Sequence, residues 1–138
     1  TYHAGVAHLI TFRSARFDIA TETPNPINPI AGESLLRWLG EQLRESRFAV
    51  TTPQPEDWGW FIGVEADGAS YLVGASGEAD DAAPGHVGWT IQIHKHRSLK
   101  QKLMGANKLA PDDRLSALVE RLVRQDAGAL DVEVDRKA

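Results

Sequence analysis

The dipeptide Asp67-Gly68 constrains the fold of this chain more than any other feature, because it stands between two apolar and aromatic runs, WGWFIGVEA and ASYLVGASG. Both central residues of a tight two-residue hairpin turn need positive φ, and Asp-Gly supplies it at low cost. Pairing Ala66 with Ala69 fixes the register. Trp58, Trp60, Ile62 and Val64 then share one face with Tyr71, Val73 and Ala75, while Phe61, Gly63 and Glu65 share the other with Leu72 and Ser70. The first face is predicted to be core, and of its tryptophans Trp58, close to the prolines and the acidic pair, is the one expected to stay partly exposed. Residues 48–52 form a short β-prone run that Pro53 and Pro55 end, so the segment PQPED is expected to be a loop feeding the hairpin.

The flanking sequence supplies the other layers. Residues 7–13 read as a strand, with residues 16–19 as its continuation or as a second short strand. Residues 21–30 hold Pro24, Pro26 and Pro29 and are expected to be a surface loop. From there the apolar period changes to that of a helix: Leu35, Leu36, Leu39 and Leu43 make one stripe over residues 33–46, with Trp38 beside it. Residues 80–85 form a second turn. In residues 86–94, Val87, Trp89, Ile91 and Ile93 alternate with Gly88, Thr90, Gln92 and His94. Ser98 is placed to cap a short helix ended by Gly105, and Pro111 with Asp112 and Asp113 marks a second helix start. That helix carries the stripe Leu115, Leu118, Val119, Leu122 and Val123, and Gly128 closes it. Leu130, Val132 and Val134 alternate in a last, edge strand. Consecutive strands joined by tight turns, with helices before and after, predict an α+β fold: an antiparallel meander sheet with helices packed on one face, in one domain over residues 1–138.

A chain of 138 residues that is 42% hydrophobic can bury enough surface to fold without cross-links. It contains no cysteine, which removes disulfides, thiol nucleophiles and thiolate zinc sites and suits a reducing compartment. Cytoplasmic location is the expectation, since no apolar run approaches the length of a membrane span. The formal charge of −4 is mild, yet its distribution is uneven. Between Arg47 and Lys95 there are seven carboxylates and no Lys or Arg, and Lys95, Arg97, Lys100 and Lys102 follow directly. Such asymmetry can steer partners. With so few basic residues elsewhere, nucleic acid is not an expected partner.

Three groups of residues could carry chemistry. His94-x-His96, if extended, puts two imidazoles on one face about 6.5 Å apart. A zinc site needs a further ligand; there is no cysteine, and nothing in the sequence requires a carboxylate from Glu78, Asp80 or Asp81 to come across, so no metal and no cofactor are expected. Glu56, Asp57 and Trp58 form the second group. Adjacent residues in an extended segment point to opposite sides, so a single site is not expected to use both carboxylates; bonding of one to turn amides is the simpler role. The third is the run around Arg97 and Lys100, where cationic side chains and the free amides near Ser98 could hold a small anionic ligand. Nucleophile-elbow and phosphate-loop patterns are absent from the sequence.

The segment PQPEDWGW, followed by a strand and a glycine-bearing hairpin, resembles a pattern in small uncharacterised bacterial proteins. The likeness covers about residues 35–77 and implies no activity and no functional residue. The expected function is that of a binding or protein-interaction module that sets its acidic hairpin edge against a basic partner. The alternative is a small-molecule or metal-dependent enzyme with its site between the Glu56–Trp58 loop and His94–His96.

Overall fold

The predicted hairpin forms the middle of the sheet in the computed structural model, which describes residues 7–66, 68–105 and 108–136 without the side chains of Leu99 and Lys102. Asp67 itself lies outside the described residues. Strands β4 (Gly59–Ala66) and β5 (Ala69–Ala79) pair antiparallel with Ala66 opposite Ala69, Val64 opposite Tyr71 and Trp60 opposite Ala75, the register expected from the turn. Gly68 has φ +77°. Strand β6 (Val87–Lys95) continues the meander beside β5. Strand β1 (His8–Ser14) adds to β6, and β7 (Leu130–Asp135) adds to β1 as the edge. All the pairings are antiparallel.

The other edge departs from the sequence expectation. Strands β2 (Ala49–Val50) and β3 (Gln54–Glu56) both pair with β4 along one side, so residues 54–56 are strand where a loop was expected. Ala49 faces Glu65 and Gln54 faces Phe61: five steps on one strand answer four on the other, a bulge at Thr52 and Pro53. Proline is tolerated here because the edge needs no inner ladder bond.

Helix α1 (Glu33–Glu45) packs its stripe Leu35, Leu36, Leu39 and Leu43 against the sheet, all fully buried. Helix α3 (Arg114–Asp126) does the same with Leu115, Val119, Leu122 and Val123. Against them the sheet sets Ile10, Phe12, Trp60, Ile62, Val64, Val73, Trp89, Ile91 and Ile93, so the period-2 assignment of the core face holds. The fold is α+β, a meander-like antiparallel sheet with helices packed on one face.

Local chemistry explains the ends of these elements. Gly32 is the N-cap of α1 and has no side chain to offer, so Glu22 in the proline loop accepts bonds from the amides of Gly32, Glu33 and Ser34 at 3.0, 3.1 and 2.9 Å. Arg47, at φ +71°, ends the helix in the left-handed conformation: Phe48 N donates to Leu43 O and Arg47 N to Arg44 O. Asp113 caps α3 by accepting from Ser116 N at 3.2 Å, so the helix starts just after the Pro-Asp-Asp segment. The short helix α2 (Leu99–Met104) is capped by Ser98 as expected and followed by Gly105 at φ +67°.

Two further expectations fail. Residues 16–19 form no strand: Ser14 Oγ accepts Arg16 N, Asp18 caps a 3-10 turn over Ile19–Thr21, and Phe17 turns in against Trp38 and Trp89. Leu130 is 48% exposed and not part of the inward alternation. The β1–β7 register slips between Thr11–Glu133 and Arg13–Leu130, and Asp131 sits at φ +55°, so a bulge carries Leu130 off the core parity.

Candidate functional site

Helices cover one face of the sheet; the other presents the alternate residues of every strand. Across β4, β5, β6 and β1 one row reads Phe61, Gly74, Gln92, Leu9, and the next Ser76, Thr90, Thr11. Two clefts lie on this open face.

The first, about 320 Å³, is lined by Glu56, Asp57, Trp58, Phe61, Leu72, Gln92 and His94. It brings together four residues singled out in the sequence. Trp58 is not on the core face that parity assigned to it. Glu56 pairs with Gly59, leaving Asp57 and Trp58 as the two linking residues of the β3–β4 hairpin, and Gly59 at φ +147° breaks the alternation. The indole therefore lies across Gly74 on the open face: a Cβ there would come within 2.4 Å of Trp58 Cη2. The same turn overturns the expectation that Glu56 and Asp57 diverge. Asp57 is not in extended backbone, and both residues line the cleft. Glu56 Oε2 accepts Asp57 N at 3.2 Å, the turn role expected of it.

The turn is fixed from behind. Asn25 Nδ2 donates to Glu56 O and Gly59 O, each at 3.0 Å, and Asn28 Nδ2 donates to Asp57 O at 2.7 Å. Trp60 Nε1 donates to Ile30 O at 3.2 Å. The proline loop thus holds both the start of α1 and the rim of the cleft.

His94 forms the floor and is nearly fully buried. Its Nε2 lies 2.8 Å from Gln92 Oε1, which sets Nε2 as the protonated nitrogen if Oε1 accepts. Burial lowers its pKa, so the ring is neutral at neutral pH. His96, Arg97 and Lys100 do not line this cleft. His96 is exposed beyond the strand, its amide donating to Ser70 O at 2.7 Å. Arg97 reaches Gln101 O at 3.2 Å, and Lys100 is exposed on α2. Lys95 sits on the opposite face, 4.0 Å from Asp113 and over the Tyr71 ring. The anion site expected near Ser98 loses two donors: Ser98 N donates to Gln101 Oε1 and Gln101 N to Ser98 Oγ, a reciprocal cap. Lys102, the fourth cation of that run, has its side chain outside the described residues.

The second cleft, about 580 Å³, was not foreseen. Thr11, Gly88 and Thr90 form its floor, and Glu78, Asp80, Asp81, Asp131 and Glu133 surround Arg13. Arg13 is already engaged: Nε donates to Asp131 Oδ2 at 2.9 Å and an Nη to Asp80 Oδ2 at 3.3 Å. Five carboxylates against one paired guanidinium leave a net charge of −4 on these lining residues. The period of β7 puts Asp131 and Glu133 on one face, but nothing in the sequence places β7 beside β1 and Arg13. Among the described residues no group of three or more His, Asp or Glu side chains is set to hold a metal ion. No described helix is long and apolar enough to cross a membrane.

A second buried polar group lies in the core, away from both clefts. His8 Nδ1 is 2.6 Å from Ser116 Oγ, and Tyr71 OH donates to Asp113 Oδ1 at 2.9 Å. His8 and Ser116 are fully buried, so no substrate reaches them. Their work is to join β1 to the start of α3.

The chain is thus an α+β protein whose sheet has a helix-covered face and an open, acidic face with an aromatic cleft. No protein-family model, no curated protein and no solved structure matches it.

Proposed function

We propose that the protein is a cytoplasmic binding module that docks a basic segment of a partner protein on the open face of its sheet. The observation that carries this reading is the charge of that face. Among the described residues the two clefts are lined by seven carboxylates, Glu56 and Asp57 on one and five on the other, and by a single arginine that is already paired. Glu78, Asp81 and Glu133 make no ion pair among the described residues. A surface of one sign with unspent charge accelerates encounter with partners of the opposite sign and repels nucleic acid. The location rests on the absence of cysteine, which a reducing interior tolerates.

Photo-crosslinking from position 90, in the middle of the face, tests the reading. Captured proteins should carry a basic segment at the cross-link, and capture should fall with rising salt. The variant Glu78→Gln/Asp81→Asn/Glu133→Gln should lose them. Partners cross-linked through neutral or acidic segments, or retained by the neutralised variant, would refute it.

A second reading, a small-molecule enzyme, is favoured by one observation: a neutral histidine at the floor of the cleft that also holds two carboxylates. Turnover of any substrate that His94→Gln abolishes without unfolding the protein would establish it.

A further inference from the structure

We infer that the Trp58 cleft is an anchor for one arginine side chain of the docked partner; this rests on the docking reading and names what that face recognises. The dimensions fit a single side chain, since about 320 Å³ is at the small end of the roughly 300–1,000 Å³ of ligand sites. The walls are of two kinds. Trp58, Phe61 and Leu72 offer an indole, a phenyl ring and an aliphatic surface, suited to the apolar stem and the flat face of a guanidinium. Glu56 and Asp57 offer carboxylates on the turn, and Asp57 Oδ atoms accept no hydrogen bond among the described residues. Among the described residues no lysine or arginine lines the cleft. The neutral His94 does not oppose a cation.

The indole is held for this purpose. Gly74 leaves room for Cη2 and Cζ3 of the ring, with Gln92 beside them, and the Asn25 and Asn28 bonds fix the turn that carries it. A preorganised aromatic surface loses little freedom on binding, which is the property of residues that dominate interfaces. Arginine is favoured over lysine because a planar guanidinium can stack on the indole and present parallel N–H donors to a carboxylate at once, whereas an ammonium is a hydrated point charge.

The test uses the full chain, labelled for NMR, and three blocked pentapeptides with arginine, lysine or citrulline at the centre and alanine elsewhere. The arginine peptide should shift the Trp58 indole N–H and the Gly74 and Gln92 amides first. Lysine should bind several-fold more weakly and citrulline, which keeps the shape without the charge, at least tenfold. Glu56→Gln/Asp57→Asn should lose at least tenfold for arginine while the spectrum stays that of the folded protein, and Trp58→Ala should abolish the shifts. Citrulline binding as well as arginine, or first shifts at Thr11, Gly88 and Thr90, would overturn the anchor while leaving the docking face intact. If an arginine- and lysine-rich 12-mer also moves no resonance on the open face, both readings fall.

Discussion

Gly74 and Gly77 lie three residues apart on β5 and face opposite sides of the sheet, and alanine at each should act differently although the collisions are equal. A Cβ at Gly74 would stand 2.4 Å from Trp58 Cη2, and one at Gly77 would stand 2.5 Å from Trp89 Cζ3. Neither contact can exist, so a ring has to move. Trp89 is 1% exposed and packs edge-on to Phe17 with centroids 6.0 Å apart, so it has nowhere to go. Overpacking a rigid core costs typically about 1–3 kcal/mol, and the upper end applies here. Alanine in place of a strand glycine returns roughly 0.5–1 kcal/mol of chain entropy, which leaves a net loss of about 2 kcal/mol for Gly77→Ala. Trp58 is half-buried with solvent beyond it, so a Cβ at Gly74 can push the indole outward although its turn is held. If the swing exposes about a quarter of the roughly 200 Å² that an indole buries, it costs ~1.2 kcal/mol at about 25 cal/mol per Å². The alanine gain nearly cancels that, so Gly74→Ala should change stability by less than about 1 kcal/mol while displacing the indole. Urea unfolding with m-values checked for constancy measures both, and the Trp58 indole resonance reports the swing. Equal losses at the two positions, or an unmoved indole in Gly74→Ala, would refute the assignment of Trp58 to the open face.

Two further outcomes are expected. Trp60→Ala and Trp89→Ala should each lose about 3–5 kcal/mol in denaturant unfolding, because both rings are core and Trp60 also gives up its bond to Ile30 O; a loss below about 1 kcal/mol at both would contradict the core parity. Stability should fall on mild acidification. His94 is depressed by burial, and His8 by burial and then by Arg136, against smaller opposing effects of Asp113 and Asp135. The unfolded chain binds protons near pH 6.5 while the folded protein does not, so stability is full above about 6.5 and declines as pH drops towards the folded values. Chemical denaturation between pH 7.5 and 5 measures the slope, and His8→Gln/His94→Gln should flatten it.

What could be read from the chain was whatever depends on neighbours in sequence. The register of β4 and β5, the leucine stripe of α1 and the alternation of β6 follow from turn chemistry and period, and all three hold. Misplaced were the segments where one residue changes the period. Gly59, with its φ of +147°, moved Trp58 from the core to the open face and let Glu56 and Asp57 share a cleft. The slip at Asp131 did the same to Leu130. Signals existed in both places: Asp57-Trp58-Gly59 follows a proline as a turn can, and an Asp before an alternating strand tolerates the left-handed conformation. The acidic cleft had no such signal. Arg13, Asp80 and Asp131 come from three distant parts of the chain and meet only because β7 adds beside β1.

The form of the two sheet edges bears on how a partner can bind. Strand addition needs a straight row of unpaired amides and carbonyls. On one side, β2 and β3 are two and three residues long, are separated by a bulge, and contain Pro55 with Pro53 just before it, so the row is broken. On the other, β7 bends at Asp131 and carries a carboxylate at every second position. Both edges have the features by which natural sheets avoid pairing. The helix side is filled by α1 and α3. On the proposed reading the partner meets the open face, where contact would be made by side chains rather than by a backbone ladder. Selectivity there has to come from charge and from a pocket, and the carboxylates around Arg13 and the indole across Gly74 supply one of each.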